Sequence, residues 1–495
     1  MKKVLTWIGI GTSWIFGALV CLLPAFLILG ILDFRFHNYF WPDFNSFRVF
    51  SPISMFDFFS ILDLFVLILL GASILKLVTG WLGSGRSKSV GSAPSIDRSK
   101  SVGSAPSVPG TKFRWIYLSV LFVACGVIAT KFFYVPVEPV IKSFWFQSYM
   151  NYVSPVLLFI AVLFGARDRK TFRLLLVSFF VTFIVFGGIV IYEYFTNALP
   201  GDNKDFLGRL VWPYIDPFFK MKAESANYLS YLFAPIAVLA GVSATRKALS
   251  AVSGKTSSLA NVATAGGIFR VSLSMILEII CFAVCVFVLL LTKSYTGIGI
   301  ASLIIAYLIF INVSRKAKIS LVVAFALLSA VFVATQWNTR KFQILIGNDK
   351  SESSVSMRSK IYKFNFEAFL RKPWTGIGPG NYQNFFRENV TEFTGLKIAD
   401  VDVPPHPHSL IVAFWSDLGI LGLVGILIIY IGVFYEAFLR RLTLAGKNGK
   451  AWLTSLYFLV PLYFLGHGLL DVPYGTDENS VMFWLFLAMA FAFKA

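Results

Sequence analysis

Two histidines stand two positions apart in Pro404-Pro405-His406-Pro407-His408-Ser409, just ahead of a long apolar run, in a chain that has only four histidines. An imidazole titrates near neutrality and can take a proton from a hydroxyl group. The prolines restrict the backbone before His408 and fix the direction in which the chain meets the apolar run. His408 is therefore the candidate general base, although a side chain capping or snorkelling at the end of a membrane helix has the same address. Some fifty residues upstream, Arg358 opens the stretch 358–370, whose Ile361, Phe364, Ala368 and Phe369 fall on one helical face. Guanidinium forks match phosphate oxygens, and several together can hold a diphosphate leaving group. Arg209, Arg340 and Lys293 fall on the same side of the membrane in the topology below. All four cations also suit a solvated face that attracts anionic headgroups.

Other constellations are less specific. Thr375-Gly376-Ile377-Gly378-Pro379-Gly380-Asn381 has the glycine content of a phosphate cradle. No strand precedes it, no Lys-Ser/Thr follows it, and Pro379 removes a donor, so its spacing favours a turn ending a helix. Asp400-Val401-Asp402 with His406 and His408 offers ligands to a divalent metal, but the spacing is nonspecific. His467 and Asp471 are four apart and share a face of an apolar run. Glu278 and Asp63 also lie inside such runs, where a polar group marks function or a buried hydrogen bond.

The elements that must position these residues are membrane helices. The 495-residue chain is 57% apolar with mean hydropathy +0.73, which excludes a water-soluble globule. Runs near the roughly 20 residues that cross a bilayer recur along it, and about twelve spans are expected. They cover about 5–31, 55–78, 115–134, 152–164, 174–192, 227–245, 271–291, 298–314, 321–337, 408–438, 453–470 and 481–493. The first follows Met1-Lys2-Lys3 and has no convincing cleavage site, so it reads as an uncleaved helix. The tenth is expected to be a short helix, a break at Gly419/Gly422, and a longer helix. Residues 1–337 thus form nine spans, 338–408 a large polar loop, and 409–495 the last three spans. Within the first part, Arg86–Ser95 recurs almost verbatim at Arg98–Ser107, and 82–112 reads as a flexible basic linker.

The formal charge of +19 invites a nucleic-acid reading. The cations instead cluster in short loops (76–114, 167–173, 246–270, 315–318, 440–450), the bias of cytosolic loops. Both termini then face the cytosol, and the loop 338–408 faces the opposite side. Cys21, Cys125, Cys281 and Cys285 all sit in apolar runs and suggest no disulfide framework.

The sequence resembles the O-antigen ligases, in the superfamily that also holds O-antigen polymerases and O-oligosaccharyltransferases. The resemblance rests on the Arg358 segment, Pro373-Trp374-Thr375-Gly376-Ile377-Gly378-Pro379-Gly380-Asn381-Tyr382, His408-Ser409-Leu410-Ile411-Val412, and Asp417-Leu418-Gly419-Ile420-Leu421-Gly422, in that order. Arg209-Leu210 followed by Ser225-Ala226-Asn227-Tyr228-Leu229 is similar to an earlier external loop of that family. The resemblance implies an all-α, polytopic, GT-C-like glycosyltransferase of the bacterial inner membrane. It implies a site on the periplasmic face and inverting, metal-independent transfer without a cofactor. The donor would be O-antigen on undecaprenyl diphosphate and the acceptor a lipid A-core sugar, with membrane lipids around the protein and no nucleic-acid partner. His408 would activate the acceptor hydroxyl. Arg358 and Arg209, with Lys293 and Arg340, would hold the diphosphate, and Asp471 matches a late acidic position that would help bind substrate. Where the family commonly has Ser-Arg-Gly after the seventh span, this chain has Ser294-Tyr295-Thr296-Gly297 after Lys293. A polymerase or a protein O-glycosylating enzyme would share the donor and differ in acceptor. A transporter of lipid-linked sugars would need no catalytic histidine.

Overall fold

The computed structural model describes residues 11–25, 61–84, 114–133, 142–166, 169–196, 227–255, 273–312, 354–395, 406–439, 456–472 and 477–492, with isolated positions between them. All regular elements among these are helices. They are α1 (Gly11–Ala25), α2 (Ile61–Ser84), α3 (Arg114–Phe133), α4 (Lys142–Gly165), α5 (Arg169–Thr196), α6 (Asn227–Lys255), α7 (Leu273–Thr292) and α8 (Tyr295–Asn312). Then come α9 (Ser354–Arg371), α10 (Tyr382–Thr394), α11 (Leu410–Phe434), α12 (Leu459–Gly468) and α13 (Asp477–Ala492). A π-helical turn, Tyr435–Leu439, continues α11.

Four described helical stretches, Lys170–Thr196, Tyr228–Thr245, Leu273–Thr292 and Leu410–Leu439, are long and apolar enough to cross a bilayer, and seven shorter apolar helices accompany them. This is a helical membrane protein. The expected ninth span, 321–337, is described only at scattered positions, and most of the linker 82–112 lies outside the described residues.

The core divides in two. One large cluster joins α1–α8 with α11–α13 and is rich in phenylalanine, including Phe159, Phe179, Phe183, Phe186 and Phe233. A separate small cluster, built from Ile361, Phe364, Ala368, Ile377, Tyr382, Phe386, Val390 and Phe393, holds α9 and α10 together. The face expected for 358–370 is the one that α9 buries, apart from Phe369, which meets Trp415 of α11 with ring centroids 4.0 Å apart. Helix α10 was not expected from the sequence. Its Tyr382, Phe386, Val390 and Phe393 repeat every three or four residues, but the run is short and surrounded by polar residues.

Helix α11 is the frame of the site. It packs on α3 through small residues, a common way for membrane helices to approach closely. A side-chain carbon at Gly425 would come within 2.8 Å of Val123, and one at Gly126 of α3 within 3.4 Å of the Gly422 nitrogen; one at Gly422 would meet the Phe414 carbonyl of α11 itself at 2.3 Å. The expected break falls at Gly419 alone, where φ is +65° and ψ −155°; Gly422 stays helical and owes its size to close packing.

The break exchanges hydrogen bonds. In an unbroken helix the Ile420 N–H would donate to the Ser416 carbonyl. Here Ile420 donates to the Pro373 carbonyl (2.8 Å), and the Ser416 carbonyl accepts from Ile377 (2.6 Å). The glycine-rich turn after α9 thus satisfies what the kink leaves open. It can approach this closely because Gly376 (φ +66°) faces Gly419. A Cβ on either would lie 2.2 Å from a backbone oxygen, of Ser416 or of Trp374 respectively. Thr130 of α3 clasps the same turn, donating to the Thr375 carbonyl at 3.1 Å.

Gly376→Ala or Gly419→Ala therefore combines left-handed strain with a backbone clash. Each is expected to cost about 3 kcal/mol or more, read as a loss of thermal stability in detergent. Gly395→Ala, also at positive φ but with open space around it, separates strain from clash and should cost about 1 kcal/mol.

Candidate active site

His408 lies at the start of α11, one residue before the helix N-cap Ser409. Its backbone is left-handed (φ +53°), uncommon for a residue with a side chain. Two neighbours hold it there. The His408 N–H donates to Nδ1 of His406 at 3.3 Å, and the Tyr362 hydroxyl donates to the His408 carbonyl at 3.1 Å. Tyr362 is one turn from Arg358 on α9, so the same face that carries the arginine also fixes the histidine's backbone.

The His408 side chain meets Asp471, three residues past the end of α12, with Nδ1 and Oδ1 3.3 Å apart. Asp471 is 5% exposed. The N–H of Val472 also donates to Oδ1 at 2.9 Å. His406 Nε2 stands 3.8 Å from the same oxygen, and the two imidazoles meet edge to face with centroids 4.5 Å apart. Burial by itself would raise the Asp471 carboxyl. The hydrogen bond with His408 and the nearby imidazoles of His406, His408 and His467 outweigh it and hold the group well below the usual carboxylate range. Burial lowers His406 to about 4, opposed by Asp471 and reinforced by His408 and Arg358, so His406 is neutral at physiological pH. With Asp471 ionised, His408 donates Nδ1–H to it, and the lone pair falls on Nε2.

A second, fully buried layer backs the pair. His467 is 0% exposed. The Tyr463 hydroxyl donates to the Ser230 carbonyl at 3.0 Å, so its contact with His467 Nδ1 at 2.9 Å is one it accepts. The Tyr231 ring lies 4.4 Å from the His467 ring. Ser230 Oγ reaches Ser294 Oγ at 3.4 Å, next to Lys293. The shared face expected for His467 and Asp471 is realised in part, with Asp471 N–H donating to the His467 carbonyl just beyond the helix. Tyr231 and Tyr463 gave no signal in the sequence, being aromatic residues among many.

Of the expected site residues, His408, Asp471 and Arg358 come together. Lys293 sits exposed, at φ +48°, in the turn between α7 and α8. Leu210 N–H donates to the Leu291 carbonyl of that helix end at 3.0 Å, which brings the chain next to Arg209 to the Lys293 turn. Arg209 and Arg340, like Asp400 and Asp402, lie outside the described residues. Glu278 is buried in the second turn of α7 and accepts from Ser243 Oγ at 2.6 Å, the hydrogen-bonded alternative for an intramembrane acid.

His406, His408 and Asp471 also offer donor atoms within 4.8 Å of one another, close enough for one metal ion. The hydrogen bonding does not suit it. His406 accepts at Nδ1, which leaves its proton on Nε2, the nitrogen turned to Asp471. Ligation through Nε2 would require that bond to be given up.

A family model described as O-antigen ligase matches residues 280–427, from α7 through the kink of α11. Over this stretch the chain is similar to an O-antigen ligase domain. No curated protein matches the chain. The matched stretch contains Lys293, Arg358, Tyr362, His406, His408 and the Gly376–Gly419 contact; Asp471 and the His467 layer come from beyond its end. The match supports, in broad terms, an O-antigen ligase or polymerase type of function and a transferase role for this helical membrane protein.

The pH response of this site follows from its two perturbed groups. His406 binds its proton more weakly folded than unfolded, so stability falls as pH drops below about 6.5 and on toward about 4. Asp471 is likewise held ionised, and its contribution is lost only at lower pH, through and below the carboxylate range. Both act in the same direction. The melting temperature in detergent is expected to fall between pH 7 and pH 4.5, and His406→Gln should shrink that fall.

Proposed function

We propose that the protein is an O-antigen ligase, transferring the glycan of an undecaprenyl-diphosphate-linked O-antigen to a hydroxyl of a lipid A-core sugar on the periplasmic face. The observation that carries this is the His408–Asp471 pair, with Nδ1 3.3 Å from a buried, ionised carboxylate. Nε2 is then the basic atom, and it sits on the residue that opens a membrane helix, beside Arg358 on α9.

In this reading the acceptor oxygen attacks the anomeric carbon while His408 Nε2 takes its proton. The bond from that carbon to the diphosphate oxygen breaks, and the electron pair leaves with undecaprenyl diphosphate. Attack opposite the departing group inverts the configuration. Asp471 keeps His408 in the productive tautomer and stabilises the imidazolium that forms, the role a carboxylate plays in a hydrolytic triad. In this reading Asp471, 3.3 Å from His408 Nδ1, serves the base rather than the substrate. Arg358, together with Lys293, Arg209 and Arg340, neutralises charge on the leaving diphosphate. No metal or cofactor is needed for this sequence of steps, since the cations take the leaving-group role.

An in vitro transfer assay with purified protein, lipid-linked O-antigen and lipid A-core tests the reading. His408→Ala should abolish product and chelator should leave it unchanged. Asp471→Asn should lower kcat about 10²- to 10⁴-fold, with the Michaelis constant for donor little altered. Arg358→Ala should raise the donor's Michaelis constant as well. Chelator-sensitive transfer would return the site to a metal. Product formed only when a second lipid-linked glycan serves as acceptor would make the protein a polymerase. A variant lacking His408 that still moved lipid-linked sugar across vesicles would make it a transporter.

A further inference from the structure

The outward face of α9 changes character along its length. Ser359 and Lys363 are exposed near its start; one and two turns later the exposed residues on that face are Phe366 (54%) and Leu370 (56%), and beyond the helix end Trp374 (74%) continues the line. The cations of the last turn point elsewhere. Arg371 pairs with Glu392 at 2.7 Å and lies over Phe393, and Lys372 lies over Phe385. The stripe is therefore an exposed apolar face with a polar upper end; Phe366 meets the edge of Trp415 of α11 at 6.5 Å, and Leu370 and Trp374 stand outermost at its lower end.

Its height is set by the kink. The stretch Leu410–Leu439 spans 30 residues, or about 45 Å, half as long again as the roughly 30 Å hydrocarbon core. The part from Gly419 onward is about 31 Å long and fills the core by itself. Gly419 then lies at the membrane boundary. Trp374 is at the same level, since its carbonyl is in the glycine contact and the next residue is clasped by Thr130, near the end of α3. Helix α9 runs beside the protruding first segment of α11, with Tyr362 at His408 and Phe369 at Trp415. Its apolar end is thus at the bilayer and its polar end away from it.

We infer that Trp374 and Leu370 sit in the lipid leaflet on the His408 side, Trp374 at the hydrocarbon boundary and Leu370 one turn above it among the headgroups, so that α9 is anchored in the membrane at its lower end. An exposed tryptophan at the edge of an apolar span is what interfacial anchoring favours. Anchoring would fix how far above the leaflet Arg358 stands.

The test is accessibility of spin labels on the full chain, in vesicles of phosphatidylethanolamine and phosphatidylglycerol. Labels are placed by Ser359→Cys, Lys363→Cys, Leu370→Cys and Trp374→Cys in a chain whose four native cysteines are alanine. Labels at 370 and 374 should collide several-fold more often with oxygen than with an aqueous nickel chelate, and the ratio should reverse at 359. Equal access to the chelate at all four positions overturns the inference. So does dipolar broadening at 370, which would make a second copy the occupant. If the cysteine-free chain does not fold, the unaltered chain and Trp374→Phe are compared in vesicles of dibrominated lipid. Loss of part of the lipid-quenched fluorescence in the variant supports the inference, and an unchanged quenched fraction overturns it.

Discussion

The structure depends on one backbone contact, between the turn after α9 and the kink in α11. A break in a membrane helix exposes a donor and an acceptor where there is no water to take them. Ile420 and Ser416 are such a pair, and the Pro373–Ile377 turn supplies both partners. Two glycines at positive φ make the approach possible. Because α9 ends in that turn, its upper residues are carried beside the start of α11. Tyr362 thereby reaches His408, with Arg358 one turn away on α9, by way of a contact made about three turns of helix below.

The His406–His408 pair is then arranged around one buried carboxylate. Asp471 lies just past the end of α12, on a part of the chain distant in sequence from α9 and the start of α11. An ionised carboxylate in a nearly water-free setting needs donors. It finds the Val472 N–H and His408, with His406 close by. The left-handed backbone of His408 is the cost of aiming its ring there. That conformation is kept by Tyr362 on its carbonyl and His406 on its amide. His406 thus acts through its proton arrangement: accepting from a backbone N–H, it stays neutral beside Asp471 without competing for the role of base.

Much of this was legible in the sequence, for identifiable reasons. Apolar runs are read directly from composition, and helices α3, α5 and α7 lie close to their expected bounds. The kink was readable because glycine at 419 interrupts an otherwise unbroken apolar stretch. Residue types gave His408 and Arg358, since imidazole and guanidinium are rare at the mouth of a span. The sequence did not reveal that Asp471 meets His408, because a pairing across 63 residues leaves no local pattern. Helix α10 was missed for a related reason. Its four buried positions face a small separate core, and a run of this length among polar residues carries little periodic signal.

The division into two cores explains why a site of this kind stands where it does. Within the bilayer, packing through Phe and Gly can hold helices but cannot accommodate mobile charged groups cheaply. Above it, the α9–α10 cluster is a small water-facing unit able to present cations without burying them. A lipid-linked diphosphate has its chain in the first environment and its charge in the second. The residues suited to it must therefore lie on the seam between the two cores, and His408, Asp471 and the upper half of α9 lie there. The apolar lower half of α9 makes that seam continuous with lipid, so a substrate arriving along the leaflet would meet the cations without leaving the membrane.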